Sequence, residues 1–246
     1  MERWDVNATL GPSPTGGPIY RTAEDLMRVM DRLGIARALV RHTEAIYHDP
    51  AEGNAYLSQI ICGQDRLEPC WVALPPVAEE LGALQAFLAA AVQGRVRAMA
   101  LYPAAQGYPL SPWMLDGLLG HLAERHMILL IETAQATWEG LHGLCGAYPG
   151  LRVIVLETGY RVLRPLMGLL TQHENLYVDI STMTNFYGIE TLCRRFGSGR
   201  LLLGTGGPRT DGAGVLAALS YAEISETDRQ AICAHNLARL LAGVQI

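Results

Sequence analysis

Acidic and amide side chains recur in this sequence where short apolar runs stop. Asp5 and Asn7 stand two apart near the start, Glu132 closes Met-Ile-Leu-Leu-Ile, and Glu157 closes Val-Ile-Val-Leu. An unpaired carboxylate is costly to bury, so each of these must meet a cation, cap a helix or serve a site. Two carboxyl groups held together form an acid-base pair: about 4 Å apart at an effective dielectric of roughly 20 they repel by about 4 kcal/mol, enough to keep one protonated. Neighbouring strands ~4.8 Å apart would allow such an approach between Glu132 and Glu157. These two, with Asp5 and Asn7, are the expected catalytic residues. His42, Tyr102, Ser181 and Arg209 are the expected substrate contacts. An imidazole at a strand end suits a proton shuttle, and a guanidinium in the glycine-rich 204–214 segment suits an anion. Ser181 has no triad partner in register and is not read as a nucleophile. Asp179 is expected to support its neighbours. Asp5 and Asn7 could instead bond loop amides around Gly11–Gly17.

The elements that must position these residues are short. Candidate strands lie near 3–8, 37–42, 69–74, 96–102, 127–132, 152–157, 175–181 and 200–205, with helical periodicity between them. Thr22-x-x-Asp25 reads as a capping box with Gly34 as the stop, and Ser225-x-x-Asp228 opens a last helix bearing Ile232, Leu237, Leu240 and Leu241. Asp49-Pro50 and Ser111-Pro112 place a cap before a proline at the first helical position. Eight strand-helix units of about 31 residues, with no linker and no GxGxxG after the first strand, predict an α/β fold. It is read as a (β/α)8 TIM-like barrel forming a single domain over 1–246 rather than an open doubly wound sheet. In such a barrel the strand C-termini share one mouth. Val40, Leu130 and Val155, two residues before His42, Glu132 and Glu157, are expected to share their inward face.

Composition removes several chemistries. All 19 basic residues are Arg, so there is no lysine for a Schiff base, a phosphate-loop motif or a carboxylated-lysine metal bridge. Net charge is −5 without a basic cluster, which disfavours nucleic acid and anionic membrane. The five cysteines are scattered without a CxxC pair, the pattern of reduced packing residues in a cytoplasmic protein. No apolar run approaches the ~20 residues of a membrane span, and the first residues do not resemble a signal peptide. The expected partner is a small-molecule ligand, with self-association into a homo-oligomer left open.

Taken in order, the strand ends resemble the amidohydrolase superfamily, in particular its amidohydrolase-related branch of small-acid hydrolases and decarboxylases. "WDVNATLG" stands at the family's His-x-His strand, "MILLIETA" and "LRVIVLETG" at its two later His strands, and "NLYVDIST" at its Tyr-x-Asp-x-Ser strand. "RLLLGTGGP" stands at the Gly-Ser-Asp-x-Pro strand, and "HNLARLLAG" resembles the terminal helix. The metal positions implied by this resemblance are all changed: His-x-His is Asp5 and Asn7, the later histidines are Glu132 and Glu157, and the Asp is Gly206. Imidazoles suit zinc, whereas carboxylates and an amide suit a harder divalent cation or none. The resemblance, so altered, implies a metal-independent hydrolase or lyase acting on a small carboxylated or lactone-like molecule, with no cofactor. A hard divalent ion on Asp5, Asn7, Glu132 and Glu157 is the second reading of the cofactor. The alternative function is a catalytically silent barrel that binds a small molecule or a partner protein. A polar cavity around Glu132 and Glu157 favours catalysis; arginines across both favour the silent barrel.

Overall fold

A computed structural model of the chain describes residues 1–12 and 20–246. Eight parallel strands run β1 (Trp4–Leu10), β2 (Arg37–His42), β3 (Leu67–Val72), β4 (Ala98–Leu101), β5 (Ile128–Glu132), β6 (Arg152–Leu156), β7 (Leu176–Asp179) and β8 (Leu201–Leu202). They pair in sequence order, β1 to β8. The ring is nearly closed: the Val6 N–H donates to Leu203 O at 2.9 Å and the Thr9 N–H to Gly207 O at 2.9 Å. The helices between and after the strands are α1 (Ala23–Leu33), α2 (Thr43–Tyr47), α3 (Pro50–Ile60), α4 (Leu84–Gln93), α5 (Pro112–Glu124) and α6 (Trp138–Ala147). They continue with α7 (Leu163–Gln172), α8 (Gly188–Phe196), α9 (Ala213–Tyr221), α10 (Glu226–Gln230) and α11 (Asn236–Ala242).

Local sequence explains where these helices begin and end. Thr22 and Asp25 form the reciprocal capping box of α1, and Gly34 ends it in a left-handed conformation at φ 66°. Asp49 accepts from the Ala51 and Glu52 amides ahead of α3, with Pro50 in its first turn. Ser225 accepts from the Asp228 amide at the start of α10. Ser111 precedes Pro112 at the start of α5, although its hydroxyl makes no capping bond.

Strand alternation sorts the apolar side chains into two layers. Val6, Leu39, Val72, Ala98, Ala100, Ile128, Leu130, Ile154, Leu156 and Leu202 fill the barrel. Ala8, Val40, Met99, Leu129, Ile131, Val153, Val155 and Val178 face the helices, where Leu115, Leu118, Leu119 and Leu122 of α5 are fully buried. Each such leucine contributes about 2 kcal/mol of apolar burial. The expected inward direction therefore holds for Leu130 alone. Val40 and Val155 lie in the outer layer, because both faces of a parallel sheet are buried and both are apolar. At the strand N-termini, Leu237, Leu240 and Leu241 of α11 pack into the inner layer and close that end. The other end is polar.

Candidate active site

The inward residue at the end of β2 is Arg41, in phase with Leu39. Its side chain is 1% exposed. Nη1 donates to the Tyr102 hydroxyl at 2.7 Å and to Glu132 Oε1 at 3.1 Å. Nη2 donates to Asn7 Oδ1 and to Thr9 Oγ1, the latter at 3.4 Å. Burial works against the charge on this guanidinium, but Tyr102 and Glu132 outweigh it and push its proton affinity higher still. Tyr102 is held neutral mainly by burial and donates onward to Glu132 Oε1 at 3.4 Å. Beneath them burial pushes the Cys70 thiol up to about 12, which leaves it an inert packing group.

Asn7 is oriented from its far side. Its Nδ2 donates to Asp179 Oδ2 at 2.9 Å and to Ser181 Oγ at 3.4 Å, which turns Oδ1 toward Arg41. Asp179 also accepts from the Ser181 amide at 2.8 Å, the Ser181 hydroxyl at 2.6 Å and the Glu157 amide at 3.3 Å. It can lie there only because residue 204 is glycine: a Cβ would stand 2.2 Å from Asp179 Oδ1. Burial raises Asp179 to about 6 against the lowering effect of its Ser181 and Asn7 bonds. Asp5 is raised to about 6 by burial as well, and it bonds the Thr205 amide at 2.8 Å, the Thr205 hydroxyl and the Asn7 amide at 2.9 Å. It ties β1 to the segment after β8.

Glu132 ends β5 on the inner face, 8% exposed. Glu157 reaches the mouth by a different route. Continued alternation would send it outward with Val155, but its backbone is left-handed at φ 60° and turns it back. A non-glycine residue in that region is strained, and such strain gathers at functional positions. Arg209, half exposed on the segment after β8, forms an ion pair with Glu157 and lies 3.9 Å from Glu132. Arg209 thus bridges the two glutamates. Asn7, Thr9, Thr43, Tyr47, Glu132 and Arg209 line a cavity of about 120 Å³ at this mouth.

The expected site residues divide accordingly. Asn7, Glu132 and Arg209 meet at the cavity, with Glu157 paired to Arg209 and Ser181 beside Gly206. Tyr102 is buried below the cavity as a partner of Arg41, so it is placed to orient rather than to touch a ligand. Asp5 is engaged with Thr205 behind the mouth. His42 points outside the barrel, in phase with Val40: its Nδ1 accepts from the Glu44 amide at 3.1 Å, its ring meets Tyr56 edge-on, and burial holds its basicity down. The expectation that Asp5 and Asn7 bond loop amides concerns a segment, Gly11–Gly17, that lies mostly outside the described residues. Arg41, Thr9, Thr43 and Tyr47 were not among the expected contacts. Of these only Arg41 carries a sequence signal, as a cation near the C-terminal end of its strand that, like Arg209, could neutralise Glu132 and Glu157.

Metal ligands are not on offer at the positions the resemblance marks. Asn7 Oδ1 and Glu132 Oε1 accept from Arg41, both Asp5 oxygens are engaged, and Glu157 faces Arg209. Gly206 sits at φ 67°, where a Cβ would come within 2.9 Å of Thr210 Oγ1. Among the described residues no group of three or more His, Cys, Asp or Glu is arranged to hold a metal ion. A divalent ion would have to displace a buried guanidinium, and the residues present do not fit one.

A family model described as amidohydrolase matches residues 11–242. No curated protein matches the sequence. Among solved structures, the TIM-barrel protein Bb4693 of Bordetella bronchiseptica superposes with a TM-score of 0.78 at 14% identity, over 99% of each chain. The 2,6-dihydroxybenzoate decarboxylase of Rhizobium superposes at 0.79 with 12% identity, over 98% of each chain. A dihydroxybenzoic acid decarboxylase of Polaromonas, solved with manganese and 2-nitroresorcinol, superposes at 0.78 with 14% identity over 98% of this chain and 97% of its own. At such identities the likeness is one of fold. No helix is long and apolar enough to cross a membrane among the described residues.

Proposed function

The chain belongs to the amidohydrolase family, and from that premise we propose that it is a hydrolase or lyase acting without a metal ion on a small carboxylated or lactone-like molecule. One observation carries the reading: Asn7, Glu132 and Arg209 converge on a cavity of about 120 Å³ at the barrel mouth, with Glu157, on a left-handed backbone, paired to Arg209 beside it. At ~30 Å³ per water that volume takes about four waters, the size of a small acid or of the carboxylated end of a larger one. Arg209 is the group to receive the ligand's carboxylate, since a guanidinium matches it in a bidentate fork. A ligand that takes Arg209 leaves Glu157 without its counter-charge, and a carboxylate so released is the stronger proton acceptor. Asn7 and Thr9 add polar contacts. The decarboxylases of the same fold act on small hydroxybenzoates, which supports a carboxylated ligand. The manganese of the Polaromonas enzyme is not carried over, because Arg41 engages Asn7 and Glu132 here.

The second reading, a silent barrel that binds a small molecule or a partner protein, is favoured by guanidinium groups lying across both Glu132 and Glu157. One experiment separates the two. The full chain, purified without chelator, is assayed for bound metal and incubated with small carboxylates, hydroxybenzoates and lactones, with mass spectrometry of the products. Turnover by metal-free chain that Glu157→Gln abolishes supports the enzyme. Thermal stabilisation by a carboxylate without turnover supports the silent barrel. Stoichiometric zinc or manganese, lost in Glu132→Gln, would overturn metal independence.

A further inference from the structure

Arg41 makes its hydrogen bonds to four acceptors on three other strands or their ends: Asn7 and Thr9 of β1, Tyr102 after β4 and Glu132 of β5. Two of these acceptors are themselves oriented. Asp179 and Ser181 take the amide hydrogens of Asn7, so its oxygen is the atom left to face inward. Tyr102 gives its proton to Glu132, which leaves its oxygen for Nη1. The oxygens therefore converge on one point from directions that the rest of the barrel fixes. Arg41 supplies only the cation. The cavity above is lined by Asn7, Thr9 and Glu132 and not by Arg41, so Arg41 acts on a ligand through these groups and is a positioning residue. The planar pair of Nη groups, with four N–H donors, suits these four oxygens better than a point charge does, while Nε finds no partner.

We infer that Arg41 is a resident cation held in a preformed oxygen cradle of Asn7, Thr9, Tyr102 and Glu132, and that the cradle takes up free guanidinium when the side chain is cut back to alanine. This deepens the metal-independent part of the proposed function and requires no turnover. Two of the four acceptors, Asn7 and Glu132, stand where the family resemblance places metal ligands, so a covalently tethered cation takes over the charge-balancing part of a metal's role.

The test is a melt of full-length parent, Arg41→Ala and Arg41→Ala/Glu132→Gln against low-millimolar guanidinium chloride. Urea serves as the neutral isostere and sodium chloride as the ionic-strength control. Arg41→Ala should melt below the parent and rise toward it, saturably, with guanidinium alone. The parent should not respond, and the double variant should bind about tenfold more weakly, the worth of one charge-assisted hydrogen bond. An equal response to urea, no response of folded Arg41→Ala, or an undiminished response of the double variant would overturn the inference. Should Arg41→Ala not fold, recovery of folded chain on refolding is compared with guanidinium and with urea present; equal recovery overturns it. A divalent ion bound stoichiometrically by the parent at this site would also overturn it. Failure to find any substrate defeats the enzyme reading alone, since no substrate enters this experiment.

Discussion

Arginines close both ends of the barrel, by different chemistry. At the strand N-termini Arg152 donates to Leu240 O at 2.5 Å and to Gly243 O at 3.3 Å, and Arg97 to Leu241 O at 3.4 Å. Those carbonyls lie at the C-terminal end of α11, where the helix runs out of its own donors and positive charge is favourable. At the opposite end Arg41 and Arg209 meet carboxylates, and Asp5 and Asp179 are buried beside them. The lower end is an apolar stopper with its helix end satisfied, and a carboxylate, Glu68, sits at its rim paired with Arg37 and Arg97. The upper end keeps charges that an apolar plug could replace more stably. A barrel that needed only closing would resemble the lower end twice, so the upper end is the place to look for function.

The contrast is sharpest in the cost of losing one arginine. Arg41→Ala should destabilise by about 3–5 kcal/mol in urea unfolding, because it leaves Glu132 buried without its partner. A loss below about 1 kcal/mol would erase the distinction between the ends. Next comes a pH effect confined to the upper end. Asp5 and Asp179 sit at about 6 when folded against 3.8 ordinarily. Between those values the folded chain holds more protons, so their contribution to stability is largest below about pH 4 and is lost as pH rises through about 6, by at most about 1.4 kcal/mol per unit for each site. The stability of the parent relative to Asp5→Asn should therefore fall between pH 4.5 and 7; a constant difference would refute the assignment.

At the lower end Arg152→Ala should cost only about 1–2 kcal/mol, since neutral carbonyls rather than a buried carboxylate are left behind. A cost equal to that of Arg41→Ala would make the two ends alike. Glu157→Gly should raise stability by about 1 kcal/mol by relieving the left-handed backbone, and should abolish any turnover. Stabilisation with turnover intact would remove Glu157 from the site. The smallest stability effect belongs to Arg209→Ala, under about 1 kcal/mol because the side chain is half exposed, together with a loss of carboxylate affinity of about tenfold or more. Unchanged affinity, measured by calorimetry on any carboxylate found to bind, would take Arg209 out of ligand recognition.

What the sequence determined by itself was local or repetitive. Eight apolar runs, the Thr22–Asp25 box, Asp49 ahead of Pro50 and Ser225 ahead of Asp228 are short-range signals, and each element stands within a few residues of its expected place. The six ordered motifs carried the family for the same reason, and Asn7, Glu132 and Arg209 were legible as polar residues at the shared mouth. Which of Arg41 and His42 faces inward was not legible, because Leu39 and Val40 before them are equally apolar and a parallel sheet buries both faces. Glu157 enters the site through a backbone angle that strand alternation does not encode. Arg41 gains its role only where Asn7, Tyr102 and Glu132, up to 125 residues apart, converge. The worth of a buried charge depends on such partners, and only closure of the barrel brings them together.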